Sequence, residues 1–306
     1  MDFAPGRPYL WHGVTWATGA PSLLLADAAT AALSRVDLMG LRIGVKAAGD
    51  GRFCTGRYRF SGTFGVEPLP CPQQARAGPG GQCPACLGRD DFRFAHHAHE
   101  GGHVPAALSA YLDQPHLLYV ATFANASSKV GTAAAPRRVS RLDEQGPVHA
   151  TYLLQASDGR SVRVLEDTLS RDAGLAQSVR GTAAKLAALA NPDPRQTRAA
   201  HDAAVGRALA ALTALGLRPE PAEWTPPACG DELRSPPRGE RLAYRHDLRE
   251  GEHGFQVESC SGSCALVRLT PGDDVRYVLD LSVLKGRRVL IGSYTSPAAP
   301  LQGSLF

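Results

Sequence analysis

Four cysteines, Cys54, Cys71, Cys83 and Cys86, fall close together, and the last two form a Cys-x-x-Cys knuckle around Pro84 and Ala85. Two sulfurs presented by one tight turn can occupy two corners of a tetrahedron about 2.3 Å from Zn(II). Sixteen residues separate Cys54 from Cys71, so they enter as single ligands and not as a second knuckle. The stretch between them and the knuckle is rich in Gly and Pro, as in Ala77-Gly78-Pro79-Gly80-Gly81, and too poor in aliphatic side chains to build its own core. A structural zinc is therefore expected to organise it, four ordinary buried or free thiols being the alternative. Four sulfurs would leave no open coordination position, so no catalysis is expected there.

A second set is chemically matched. Phosphodiester hydrolysis needs a cation to neutralise phosphate, a carboxylate to hold a divalent metal, and a group that orients or deprotonates water. Arg141, Glu166 and Tyr119 can fill these roles in that order, with Lys129-Val130-Gly131 lying between. Each has a duller reading alone: a core tyrosine, an arginine paired with a nearby acid such as Asp143, Glu144 or Asp167, a solvated glutamate. Their order along the chain is what argues for a site. Cys260-x-x-x-Cys264 sits in a Ser/Gly turn with no second pair and Cys229 stands alone, so no further metal site is expected. His96, His97, His99 and His103 read as solvated surface histidines.

The elements that must position the second set form one local unit. His116–Phe123 is a continuous apolar run, Asn125–Ser128 a polar turn and Lys129–Thr132 a second strand, which together predict a hairpin. Pro136 can open a helix running through Arg141 to Glu144, ended by Gly146-Pro147. A strand over Val148–Gln155 and a helix over about 160–171, capped near Ser157-Asp158-Gly159, complete the order strand, strand, helix, strand, helix. Ala/Leu-rich helices follow at about 176–190 and 195–215, and a Pro-rich connector covers Pro219–Pro237. The chain on either side is sheet-rich, with one Ala-rich stretch at 26–35 that reads as a helix. The chain thus divides into a sheet-rich N-terminal region (1–53), a four-cysteine segment (54–110), a central core with helices (111–218) and a connector with C-terminal β region (219–306). The sheet-rich ends are free to pack together around the middle.

Composition is that of an ordinary globular α+β protein: 43% hydrophobic, 20% charged, with 33 basic against 29 acidic residues for a net charge of +4. That balance excludes wholesale disorder and a nucleic-acid coat, and does not name a partner by itself. The N-terminal residues lack the pattern of a signal peptide, and no apolar run approaches the roughly 20 residues that span a bilayer. A cytoplasmic protein without a membrane partner is expected, in which clustered thiols hold metal instead of forming disulfides.

The central residues resemble the GIY-YIG nuclease superfamily. Leu117-Leu118-Tyr119 lies where that family has Gly-Ile-Tyr, Lys129-Val130-Gly131 where it has Tyr-Ile-Gly, Arg141 at its catalytic arginine and Glu166 at its metal-binding glutamate. Lys129 replaces the second tyrosine, as in phage-type branches, and Gln145 stands where a histidine often follows the arginine. The resemblance implies a three-stranded antiparallel sheet flanked by helices. It further implies that Tyr119 positions or activates water, Lys129 belongs to the catalytic set, Arg141 clamps the scissile phosphate and Glu166 binds Mg(II) or Mn(II). Across nearly its whole length the chain also resembles the bacterial domain-of-unknown-function 2797 family, through the cysteine segment, His116–Val120, Lys129–Thr132, Arg141–Gly146 and Leu165-Glu166-Asp167. That resemblance names no reaction.

Three functions use these residues. A nuclease-like nucleic-acid-processing protein, a GIY-YIG-type metal-dependent endonuclease, ranks first. A non-catalytic zinc-containing protein that binds nucleic-acid phosphates through Lys129, Arg137, Arg138 and Arg141 is the second. A metalloenzyme acting on a small phosphorylated or amino substrate is the third.

Overall fold

The computed structural model describes residues 6–61, 65–94, 104–179 and 181–297. His96, His97, His99 and His103 lie outside the described residues. Four strands open the chain, β1 (Pro8–Thr15), β2 (Ser22–Asp27), β3 (Leu33–Asp37) and β4 (Arg42–Ala47), followed by the hairpin β5 (Arg57–Ser61) and β6 (Gly65–Leu69). Helices α1 (Pro84–Gly88) and α2 (Ala106–Leu112) precede β7 (His116–Thr122), β8 (Ser128–Ala134), α3 (Arg138–Gln145), β9 (His149–Ala156) and α4 (Gly159–Asp172). Then come α5 (Thr182–Ala190), α6 (Pro194–Ala214), β10 (Ala222–Glu223), α7 (Asp231–Arg234), β11 (Arg241–Ala243), β12 (Glu252–Ser261), β13 (Cys264–Arg268), β14 (Arg276–Asp280) and β15 (Arg288–Gly292). The chain is α+β.

Strands from the two ends interleave in one nine-stranded sheet, ordered β11-β14-β13-β12-β4-β15-β1-β2-β3. β15 pairs antiparallel with both β1 and β4, and β12 pairs antiparallel with β4. Strands β1, β2 and β4 therefore share one core with β12, β13, β14 and β15, in which Trp11, Leu25, Val45, Phe255 and Val289 are fully or almost fully buried. The stretch at 26–35 is not helical. Asp27 accepts bonds from the Ala29 and Thr30 amides at 2.9 and 2.8 Å, Ala31 has φ 58°, and Leu33 returns to pair with Ala26. A side chain that caps a turn this tightly outcompetes the weak helix preference of five alanines.

The central unit carries a second sheet, ordered β10-β9-β7-β8 and antiparallel throughout. Where three strands were expected there are four, because Ala222–Glu223 adds a two-residue edge to β9. All seven positions of β7 are buried. On one face Leu118 and Val120 meet Val162 and Leu169 of α4 and Ala204, Ala208 and Leu212 of α6. On the other, Leu117, Tyr119 and Ala121 meet Leu142 and Trp224. A strand covered on both sides must be apolar at every position, which is why β7 reads as a continuous run. The helix expected from residue 176 begins at Thr182, because Ala176 instead bridges to Lys129 and accepts a bond from the Val130 amide at 2.9 Å.

One glycine joins the two sheets. Gly146 ends α3 at φ 62°, and a Cβ there would lie 2.6 Å from the Gly262 nitrogen in the β12–β13 turn. Both the left-handed backbone and the close approach require glycine. Cys260 and Cys264 belong to two separate hydrophobic cores, and burial pushes the Cys264 thiol up to about 11. They act as core side chains.

Candidate metal centre and phosphate site

The four-cysteine segment is anchored to the nine-stranded sheet at its start. The Phe53 amide donates to the Gly286 carbonyl at 2.7 Å, and the Arg288 guanidinium lies 4.0 Å from the Phe53 ring centre. Cys54 then donates its amide to Ala75 at 2.8 Å. Gly56 has φ 101°, and a Cβ there would fall 1.9 Å from the Leu69 carbonyl oxygen, so only glycine lets the chain pass. Its amide donates to the Cys54 sulfur at 3.3 Å. Cys71 begins a turn closed by the Gln74 amide at 3.1 Å, and the Gln74 side chain donates to the Asp27 carbonyl at 2.7 Å. Cys83 caps α1 with Pro84 in the first turn, which places Cys86 on the same side of the helix start.

These turns gather the four sulfurs. All lie within 4.8 Å of one another, and those of Cys71 and Cys83 are 4.0 Å apart. A tetrahedral centre with metal–sulfur bonds of about 2.3 Å sets its sulfurs roughly 3.8 Å apart. All four cysteines are buried and none is in a disulfide. Burial, then the neighbouring thiols, pushes Cys86 well above the ordinary thiol range. A bound cation removes that penalty, and the donor set can hold one metal ion. This is the one such cluster among the described residues.

The second set also converges. Tyr119 and Gly131 are direct partners across β7 and β8. The ring lies over the glycine, so that a Cβ at Gly131 would sit 2.5 Å from the phenolic oxygen. Gln145 Nε2 donates to that oxygen at 2.7 Å and to the Arg141 carbonyl at 3.0 Å. Tyr119 is only 1% exposed, and burial pushes its pKa up against the opposing pull of Arg141 and Gln145. Lys129 is half-buried, pushed down to about 8 by burial and then by Arg141, with Glu166 opposing. Glu166, 4% exposed, takes a 2.6 Å ion pair from Arg163 one helical turn earlier. Burial still raises its pKa against Arg163 and Lys129.

The four residues do not open on one hollow. Half-buried Arg141 lines a cavity of about 150 Å³ with Arg137, Arg163, Tyr111 and His116. Lys129 lines another of about 320 Å³ with Gln145 and Lys185. Tyr119 and Glu166 line neither. Of the neighbouring acids, Glu144 pairs with Arg137 at 2.9 Å, while Asp143 is buried and accepts from Trp224 Nε1 at 3.2 Å. Arg141 has no carboxylate partner among the described residues. A larger cavity of about 520 Å³, bounded by Arg138, Tyr152 and Trp224, holds none of Tyr119, Lys129, Arg141 and Glu166.

Three contributors escaped the sequence reading. Arg163 was legible in its i,i+3 spacing from Glu166 on one helix face. Tyr111 carries no signal beyond its residue type. His116 leads a buried strand, a weak signal, but its setting is specific. Its Nδ1 lies 2.8 Å from the Gln114 carbonyl, which can only accept, so Nδ1 carries the hydrogen and Nε2 the lone pair. Gly159 leaves room beside that nitrogen, a Cβ there being 3.1 Å from Nε2, and burial pushes the imidazole down so that it is neutral at pH 7. No protein-family model matches this chain, no curated protein matches it, and no solved structure matches it.

Proposed function

We propose that this chain is a nuclease-like nucleic-acid-processing protein of GIY-YIG type, with a structural Zn(II) at Cys54, Cys71, Cys83 and Cys86 and a phosphate site at Arg141. One observation carries the reading: Arg141 faces a hollow beside Arg137 and Arg163 without a carboxylate of its own, and Lys129 is in electrostatic reach of both Arg141 and Glu166. An unpaired guanidinium in a concave site costs free energy until an anion arrives, and its fork suits two phosphate oxygens. His116 Nε2 is the group in that hollow that can take a proton from water. Tyr119, held by Gln145 and stacked on Gly131, positions α3 and with it Arg141. Glu166, once released by Arg163, would hold Mg(II) or Mn(II), which would supply charge neutralisation. At the cysteines, four closed sulfur ligands favour Zn(II) as a folding element.

The Arg163–Glu166 pair and the closed Tyr119 favour a second reading, in which the same cations bind nucleic acid without cutting it. Incubating branched, single-stranded and duplex DNA with the zinc-loaded protein and Mg(II) or Mn(II) separates the two. Cleavage that Glu166→Ala lowers by orders of magnitude supports the first. Binding that weakens with salt, with no products, supports the second. Equal turnover by Glu166→Ala removes this site as the source of cleavage, and no affinity at low salt removes both readings.

A further inference from the structure

A second hollow, of about 290 Å³, lies between the metal-binding segment and the nine-stranded sheet. Its basic side chains come from three parts of the chain: the cations Arg52 and Arg57 flanking Cys54 and Lys285 before β15, and His12 on β1, an imidazole that burial and then Lys285 push down to about 4. The carboxylate among its lining residues, Asp90, is already used. It accepts from the Phe92 amide at 2.9 Å, from the Tyr58 amide at 3.4 Å and from the Gln82 side chain. Arg57 donates to the Arg89 carbonyl at 3.1 Å, whereas Arg52 and Lys285 make no ion pair among the described residues. Arg52 and Lys285 are exposed and within electrostatic reach of each other. His12 Nε2 is buried without a hydrogen-bond partner.

The backbone is shaped to this arrangement. Gly286 has φ 80°, and a Cβ there would sit 2.9 Å from Arg52 Cγ; at Gly81 it would sit 3.4 Å from the guanidinium. A side chain at Gly286 would crowd Arg52, whereas one at Gly81 would make ordinary contact with it. Like charges gathered in a concavity repel one another, and an anion shared between them turns that repulsion into attraction.

The hollow adjoins the one at Arg141. Tyr58 lines the second and Phe92 the first, and their rings meet edge to face at 5.7 Å, so this aromatic pair forms the common wall. Glu144, which Arg137 holds at 2.9 Å, and the arginines Arg137 and Arg141 are within electrostatic reach of Tyr58, which is 42% exposed. Cation, exposed ring and cation in succession is the arrangement that binds a single strand, phosphates on the charges and a base on the ring.

We infer that the His12–Arg52–Lys285 hollow binds a phosphate of the same nucleic-acid strand that Arg141 engages, with Tyr58 stacking a base between them. The inference rests on the proposed phosphate site at Arg141 and extends it across the metal-binding segment.

The test is equilibrium binding of an oligothymidylate of about 12 nucleotides to the zinc-loaded full chain across a salt series, without added divalent metal. Zinc content and melting temperature confirm that each variant is folded. Lys285→Ala, on an exposed turn, should lower the magnitude of the log Kd against log salt slope by about 0.7, the share of one single-strand phosphate contact. Arg52→Ala should do the same, and Tyr58→Ala should weaken binding roughly fivefold or more with the slope unchanged. Wild-type affinity and slope in Lys285→Ala and Arg52→Ala, with Arg141→Ala weakened, overturn this inference and leave the Arg141 reading standing. Weakening by Lys285→Ala and Arg52→Ala with Arg141→Ala unchanged supports the second hollow and counts against the first. Lys285-dependent binding of inorganic phosphate, with oligonucleotide binding unaffected by Lys285→Ala, overturns the strand in favour of a free small anion.

Discussion

Replacing Arg163 with methionine removes a guanidinium from Glu166 while keeping an unbranched apolar stem in place. The pair is short, 2.6 Å, and its side chains are 22% and 6% exposed, so it belongs with buried ion pairs and not with surface pairs worth about 0–1 kcal/mol. Leaving one member of a buried pair without its partner costs about 3–5 kcal/mol. The cost depends on pH in a definite direction. Burial already holds Glu166 above its ordinary value of 4.5 against the pull of Arg163, and losing Arg163 raises it further. Below the unfolded value the carboxyl is neutral in both states and the variant loses little. As pH rises the unfolded chain ionises first, and the deficit grows until it levels off above the variant's folded pKa. Urea unfolding from pH 4.5 to 8 should therefore show a gap from wild type that widens with pH to about 3–5 kcal/mol. Arg163→Met/Glu166→Gln, compared with Arg163→Met at each pH, isolates the carboxylate from any loss of metal in acid. The double variant should recover most of the loss at pH 8. A gap that does not change with pH, or a double variant no more stable than the single one, refutes the reasoning.

Gly131→Ala should cost about 1–3 kcal/mol by overpacking against Tyr119, and adding Tyr119→Ala should relieve it; strictly additive losses would show that the two do not touch. Elemental analysis should find one zinc per chain in the parent and little in Cys83→Ser or Cys86→Ser, whereas a zinc-free parent removes the metal centre. Asp143, buried beside Trp224, is pushed up to about 6 by burial. Wild type should thus lose stability as pH rises from about 3.8 to about 6, and Asp143→Asn should melt higher than wild type above pH 6 and equal to it below pH 4; a pH-independent difference contradicts this.

Much of the central unit was legible because it is local. The hairpin, α3, β9 and α4 follow one another with turn signals between, so the order of Tyr119, Lys129, Arg141 and Glu166 could be read directly. The cysteines were legible for a similar reason: a stretch without a core must be held by something, and four thiols were its unusual feature. What the sequence hid is non-local. The nine-stranded sheet threads β15 between β1 and β4, a pairing no window of sequence contains. The edge strand at Ala222–Glu223 is two residues long and carries no periodicity. The burial of Tyr119 and Glu166 depends on Gln145 and Arg163, and the second cationic hollow brings Arg52 and Lys285 together from opposite ends of the chain. Propensity misled at 26–35, where one capping aspartate outweighed several alanines.

The claim on which the rest depends is that the hollow at Arg141 receives a phosphate. Oligonucleotide affinity at low salt, measured for wild type, Arg141→Ala and Arg138→Ala without divalent metal, tests it most directly, because Arg138 is a near neighbour on the same helix but lines a different cavity. Arg141→Ala should bind about tenfold or more weakly, the loss of a charge-assisted contact of roughly 1.5–3 kcal/mol, while Arg138→Ala should bind like wild type. Equal affinity in all three proteins, or a loss confined to Arg138→Ala, would contradict it.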